Sequence, residues 1–420
     1  MDYLNRIIAE HLNEEINNTE SIVITGPRQS GKTTLIREFC KTKFKDNFKE
    51  ISFDTPTEID LFKKDPDLFF INNNEILFLD EIQNIPEIFP YLKREIDKKR
   101  GKFRFFLSGS RQFPLMKNIS ESLAGRTTIF ELYPFIEIEK KDHKLASSII
   151  NYIKRPDKIK IGLKFPINDN EIYSFMLKGG YPPVTLKNKL NQIWFDSYRK
   201  TYIQRDIRDL SNISDLGKFD RFLVLCAARS GSIFNKSDLS NLLDVDNKTI
   251  DKWLSLLETS YIINTLNPYF SNINKRLVKR PKIFFTDIGF CVYLLSIRDK
   301  NNLSIYPGLG HLFETAIVME IRKLFSHTAN FWNGYFFRTS TGEECDLVIE
   351  EGGYLTPIEI KHKAKIDSKD TKGVNTFLEL YKEKSKYGIL ISMNPKVEWV
   401  EKNVINIPIG LLLGKEAKVD

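Results

Sequence analysis

Two groups of residues have the types and spacing of phosphate chemistry, and a third is basic enough to hold a phosphate backbone. The first group, Gly26-Pro27-Arg28-Gln29-Ser30-Gly31-Lys32-Thr33, is a GxxxxGK[ST] sequence followed by Thr34. Glycine allows positive φ and close backbone approach, so successive N–H groups of such a loop can point at phosphate oxygens. Lys32 would reach the β- and γ-phosphates, and the Thr33 hydroxyl would ligate Mg²⁺ at the positive end of a helix. Asp80-Glu81, ending the apolar run Ile76-Leu77-Phe78-Leu79, complements the loop. Asp80 would hold Mg²⁺, directly or through water, and Glu81 would orient or deprotonate the attacking water. ATP and Mg²⁺ are the cofactors this combination expects.

The second group is Asp346, Glu359 and Lys361. Gly342 to Glu350 reads as a strand, Gly352-Gly353 as a hairpin turn and Pro357 to Lys361 as a second strand. Period-two geometry puts Glu359 and Lys361 on one face, where an adjacent Asp346 could meet them. Two carboxylates and a lysine can bind a divalent ion, activate water and stabilise a pentavalent phosphate, so a second divalent metal is expected here. The same pattern also describes a charged antiparallel hairpin.

The third group is cationic. Ser237 to Leu243 and Asn247 to Glu258 have helical spacing around Asp244-Val245-Asp246, a helix-turn-helix layout with Asn247 as N-cap. Two strand-like runs, Tyr261 to Leu266 and Lys282 to Thr286, flank a loop, Asn272 to Lys282, that holds five bases and no acids. This looks like a winged helix with a cationic wing. Lys248 and Lys252 would lie on the recognition helix, with Trp253 there or in the core. Lys275, Arg276, Lys279 and Arg280 would give phosphate affinity rather than sequence reading. DNA is the expected partner, although a winged helix can equally pack against protein.

The first group must be positioned by a parallel sheet. The strand Ser21 to Thr25 leads into the glycine loop and the helical segment Thr34 to Phe39, and the buried strand before Asp80 runs parallel to it. Lys102 to Leu107 is another core strand that presents Ser108-Gly109-Ser110-Arg111, and Ser122-Leu123-Ala124-Gly125-Arg126 precedes a strand from Thr127 to Leu132. Between residues 136 and 220 lie charged connections, a turn at Lys178 to Pro183 and a helical run from Trp194 to Leu210. We read that region as a helical lid in which Arg205 either senses nucleotide or pairs with Asp206 or Asp209.

Composition is that of an intracellular multidomain protein. A chain of 420 residues exceeds one hydrophobic core. Cys40, Cys226, Cys291 and Cys345 are scattered without metal or disulfide spacing. No apolar run is long enough for a membrane span: Ile283 to Ile297 contains Asp287 and reads as strand plus helix. The N-terminus lacks a signal-peptide core, so a cytoplasmic location is expected. A net charge of +8 and a pI near 9.0 suit an anionic partner.

At Ser108-Gly109-Ser110 and Arg126 the chain resembles an AAA+ ATPase. The resemblance implies a polar sensor at the tip of the fourth strand, with Ser110 preferred to Ser108, and an arginine finger, Arg126, given to a neighbouring subunit of a homo-oligomer. A surface salt bridge is the alternative for Arg126. D-x₁₂-E-x-K resembles the core of PD-(D/E)XK restriction-endonuclease-like domains, and by that resemblance Glu314 is the extra acid on the first helix; Cys345 stands where proline is usual. Together with Gly179-Gly180-Tyr181-Pro182 and Arg205-Asp206, these markers resemble a large prokaryotic family of AAA-type ATPases with a C-terminal domain of unknown function. The expected fold is therefore α/β and multidomain: a P-loop AAA+ core with a parallel sheet (1–140), a helical lid (141–217), a winged helix (218–290) and a restriction-endonuclease-like α/β domain (291–420). Two functions are expected from it. One is a Mg²⁺-dependent ATPase that engages DNA and controls a nuclease; the other is an ATP-driven switch or assembly factor whose tail only binds DNA or protein.

Overall fold

The computed structural model describes residues 3–109, 119, 121–141, 144–187, 191–201, 215–272 and 279–418. It divides into two compact units: Met1–Pro134 with Thr259–Tyr261 and Ser326–Asn330, and Phe135–Glu258 with Ile262–Phe325 and Phe331–Asp420.

The first unit is built on a five-stranded sheet of β1 (Ser21–Thr25), β2 (Phe48–Ser52), β3 (Ile76–Asp80), β4 (Phe105–Ser108) and β5 (Thr127–Glu131). The order is β2-β3-β4-β1-β5, and every pairing is parallel. Strand alternation explains the continuous apolar runs, since both faces are buried. Val23, Leu77, Leu79, Phe105 and Leu107 enter one core with Phe53, Phe62 and Phe89. Ile22, Ile24, Phe78, Phe106 and Phe130 enter the other, with Leu35 and Ile36 from the helix Lys32–Phe44. Parallel order directs the C-terminal ends of β1, β3 and β4 to the same edge, so Gly26, Asp80 and Ser108 arrive together.

In the second unit, the helix Lys236–Leu243 and the helix Asn247–Thr259 precede an antiparallel pair, β6 (Ile263–Leu266) and β7 (Lys282–Phe285), with Leu266 opposite Lys282. The Asn247 N-cap is corrected by one residue: the Asp246 carboxylate accepts from Thr249 N at 2.6 Å. Trp253 is 3% exposed and packs on Phe219 and Phe222, so it belongs to the core. Strand β7 leads to the helix Ile288–Leu294, whose N-cap Asp287 accepts from Phe290 N at 2.9 Å. A mixed sheet follows from β8 (Gly334–Arg338), β9 (Glu344–Glu351), β10 (Tyr354–Lys361), β11 (Gly388–Ser392), β12 (Glu398–Glu401) and β13 (Val404–Pro408), in the order β12-β13-β11-β10-β9-β8. Val348, Leu355, Leu390 and Val404 pack with Phe377 beneath it. All four cysteines are free and buried, and among the described residues no helix is long and apolar enough to cross a membrane.

Candidate functional site

The glycine loop follows β1 and turns sharply. Gly26 has φ 140°, and a Cβ there would lie 2.2 Å from the Leu132 carbonyl oxygen, so no other residue fits. Gly31, at φ 98°, caps the helix Lys32–Phe44 in a left-handed conformation. Lys32 is buried and its Nζ donates to the carbonyls of Gly26 at 3.0 Å and Pro27 at 2.8 Å. The Thr33 hydroxyl donates to Asp80 Oδ2 at 2.8 Å. Ser108 Oγ donates to Asp80 Oδ1, which also accepts from Glu81 N at 3.1 Å. Burial pushes the Asp80 carboxyl up, against the hydrogen bonds from Ser108 and Thr33 that favour its ionised form. Glu81, at φ 51°, accepts from the Gln83 side chain.

A nucleotide and Mg²⁺ fit this cradle. Ser30 Oγ is buried without a hydrogen-bond partner among the described residues, and Thr33 and Asp80 are hard oxygen donors already side by side. Behind the loop, Arg6 is buried and donates to Ser30 O at 3.1 Å and Tyr133 O at 2.7 Å. Tyr261 OH donates to Thr25 Oγ1 at 2.8 Å, fixing the residue before Gly26.

Two expectations in this unit meet different geometry. Ser108, the second choice as sensor, touches Asp80, whereas Ser110 lies outside the described residues. Arg126 makes a bidentate pair with Asp97, at 2.8 and 3.2 Å, on the helix Phe89–Lys98. That is the salt bridge weighed against the finger.

The second unit holds the acidic centre. Leu347 opposite Ile358 in the β9–β10 register brings Asp346 alongside Glu359, as period-two spacing predicts. Asp346 Oδ2 accepts from Ile360 N at 2.8 Å, and Lys361 Nζ pairs with Glu359 Oε1. Glu314 joins from the helix Leu309–His327. Glu314, Asp346 and Glu359 are each more than nine-tenths buried. Burial, followed by the charges of Glu314 and Glu359, holds Asp346 well above the usual carboxylate range. Burial likewise pushes Glu359 up to about 7 against the pull of Lys361.

The residue missed from sequence is Lys282. Counted among the bases of a solvated loop, it is 3% exposed at the start of β7. Its Nζ is 2.7 Å from Glu314 Oε1, in contact with Glu344 Oε1 and 4.0 Å from Asp346 Oδ1. Burial disfavours its charge, but Glu314, Asp346 and Glu344 outweigh burial and raise its pKa. Glu344 was missed as well, although its place two residues before Asp346, on the same face of β9, is a signal that could have found it. The fit of a second divalent ion fails on this arrangement: among the described residues no three His, Cys, Asp or Glu side chains are placed to hold a metal ion. An ammonium stands between the carboxylates instead.

Of the nucleic-acid residues, Lys248 and Lys252 are exposed one turn apart on the helix Asn247–Thr259, and Lys279 and Arg280 are exposed before β7. Lys275, Arg276, Arg205, Asp206 and Asp209 lie outside the described residues.

Residues 18–139 match the AAA domain family. Residues 169–301 and 309–412 match two domains of unknown function, DUF8612 and DUF4143. An uncharacterized protein of Mycobacterium tuberculosis is 29% identical over 359 residues, covering 85% of this chain and 73% of that protein. One from Methanocaldococcus jannaschii is 25% identical over 321 residues, covering 72% and 66%. Among solved structures, the Walker-type ATPase of Pyrococcus abyssi covers 70% of this chain and 96% of its own at 15% identity and a TM-score of 0.44. AMPPCP-bound DnaA from Aquifex aeolicus covers 61% and 89% at 14% identity and 0.30. The AAA match, on a parallel sheet with a phosphate loop, supports ATP binding and hydrolysis.

Proposed function

We propose that this chain is a Mg²⁺-dependent ATPase that engages DNA, with hydrolysis in its first unit governing what its second unit does. The observation that carries the reading is the convergence of Thr33, Asp80 and Ser108 at the mouth of a loop that only glycine can make at Gly26. Lys32 and the loop N–H groups would hold the phosphates, and Thr33 and Asp80 would hold Mg²⁺, which supplies charge neutralisation at the transferring phosphoryl group. Ser108 would fix the Asp80 carboxylate, and Glu81 would direct water. Exposed Lys248, Lys252, Lys279 and Arg280 support a winged helix that meets DNA phosphates.

For the C-terminal domain, Lys282 favours the second of the two expected functions. A restriction-endonuclease-like centre built on Asp346, Glu359 and Lys361 needs a divalent ion, and the buried ammonium supports a tail that binds without cutting. ATP turnover of the purified protein with Mg²⁺, with and without double- and single-stranded DNA, tests both halves when the DNA is followed on a gel in the same tubes. Stimulated turnover with intact DNA is expected. Turnover indifferent to DNA would move the search to a protein partner, and cut DNA would restore the nuclease. An Arg126 finger acting between subunits has its own test: mixed Arg126→Ala and Lys32→Ala chains should regain part of the turnover each lacks, and no regain with both folded removes that role.

A further inference from the structure

The acidic centre contains four carboxylates, Glu314, Glu344, Asp346 and Glu359, and two lysines that reach them from different directions. Lys361 shares β10 with Glu359 and pairs with it locally. Lys282 comes from another hairpin and enters between Glu314, Glu344 and Asp346. Its position is fixed by backbone as well as charge: β7 pairs with β6, Lys282 also bridges Ile233, and its ammonium lies 5.6 Å from the Phe336 ring centroid. Buried ammonium groups occur where carboxylates compensate the lost hydration. The centre is nevertheless incomplete on one side, because Glu359 Oε2 is buried without a hydrogen-bond partner among the described residues.

We infer that Lys282 is a built-in counter-ion that holds the place of a divalent cation among Glu314, Glu344 and Asp346, so that the centre excludes metal while that ammonium is present. The inference rests on reading Asp346, Glu359 and Lys361 as a nuclease-like set. It explains how those residues stand together in a centre that has no metal-binding geometry among the described residues. The carboxylates that a divalent ion would need are committed to a lysine, and the only buried oxygen of the set without a hydrogen bond among the described residues, on Glu359, lies beyond it. The control is steric and electrostatic together: the ammonium occupies the volume and also supplies the positive charge that would otherwise attract the ion.

Mn²⁺ binding to the full chain without nucleotide, followed by electron paramagnetic resonance, tests this independently of cleavage. Wild-type protein should show no Mn²⁺ site that Asp346→Asn removes. Lys282→Met should gain one such site, tighter by ~10-fold or more, the order by which ligand charge count tunes a cation site. Asp346→Asn in the Lys282→Met background should abolish the gain, and Lys282→Arg, which keeps the cation, should show none. A wild-type Mn²⁺ site lost on Asp346→Asn would overturn the inference even if Lys282→Met did not fold. Equal binding by folded wild type and Lys282→Met would overturn it too. If Lys282→Met gains Mn²⁺ but leaves DNA uncut, the counter-ion role stands and the nuclease-like reading of the set fails by itself.

Discussion

Each unit parks a lysine at its centre, but on acceptors of different kinds. Among the described contacts, Lys32 donates to two neutral carbonyls, those of Gly26 and Pro27. Lys282 rests among three carboxylates. A phosphate group offers Lys32 a charge-assisted bond roughly twice as strong as a neutral one, so a ligand can draw it off the loop. No incoming anion offers Lys282 a comparable gain, because leaving would strand buried carboxylates. The first arrangement is a site waiting for a ligand, and the second is a site that carries its own.

Lys32→Ala should break that comparison most visibly. Loss of the cation at the transferring phosphate should lower ATP turnover by on the order of 10²–10³-fold, as loss of one preorganised charge or donor does elsewhere. The two carbonyls it leaves are neutral, so their loss of a donor should cost less stability than a stranded buried charge. Phosphate release and thermal unfolding measured on one preparation decide it; a folded variant with near-normal turnover would remove Lys32 from the reaction.

In the acidic centre the same kind of change should register in stability. Glu314→Gln leaves the Lys282 ammonium short of its 2.7 Å charged partner, and breaking a buried pair from one side costs ~3 kcal/mol or more. Lys282→Met combined with Glu314→Gln should cost less than the sum of the two single changes, since neither charge is then stranded. Chemical denaturation of the four proteins gives the coupling. Additive losses would mean that the pair is not energetically joined.

These two centres were unequally legible in sequence. The glycine loop is local: its residue types, spacing and flanking strand and helix all sit within a few turns of chain, and Asp80 is marked by the apolar run before it. The Asp346, Glu359 and Lys361 set also followed from strand period and a hairpin turn. Lys282 did not, because its burial depends on Glu314, 32 residues away, and on a strand further on. A lysine at the end of a basic loop carries no local sign that three carboxylates await it. Ser110 was preferred to Ser108 for the sensor; Ser110 lies outside the described residues, and the contact with Asp80 is made by Ser108, the last residue of β4. Arg6 gave no signal at all, being one arginine in an N-terminal segment whose partners, Ser30 and Tyr133, converge only through the sheet.

Arg6 sharpens the contrast from the side of the first unit. By donating to the Ser30 carbonyl, it fixes the backbone of the phosphate loop at that residue. Arg6→Ala should destabilise the protein by ~2 kcal/mol, the loss of charge-assisted bonds to buried carbonyls, and should raise the KM for ATP more than it lowers kcat. A fall in kcat at unchanged KM would place its effect on the reacting phosphate instead.

The smallest effect asks whether the second unit buries charge outside its acidic centre. Glu320 is 5% exposed, accepts from Glu137 N at 2.9 Å and lies 3.6 Å from Lys323 Nζ. Burial pushes its carboxyl from 4.5 up to about 7, with Lys323 and Lys140 pulling it down and Glu137 adding to the rise. The folded protein therefore keeps a proton that the unfolded chain gives up between those two values, so the folded state binds more protons and stability falls as pH rises through the window. Glu320→Gln removes that titration, and the decline in unfolding free energy from about pH 5 to about pH 7 should flatten. Denaturation curves at pH 5, 6 and 7 for both proteins measure the slope. A slope unchanged by the substitution would mean that Glu320 is ionised throughout, held by Lys323 as firmly as the acidic centre is held by Lys282.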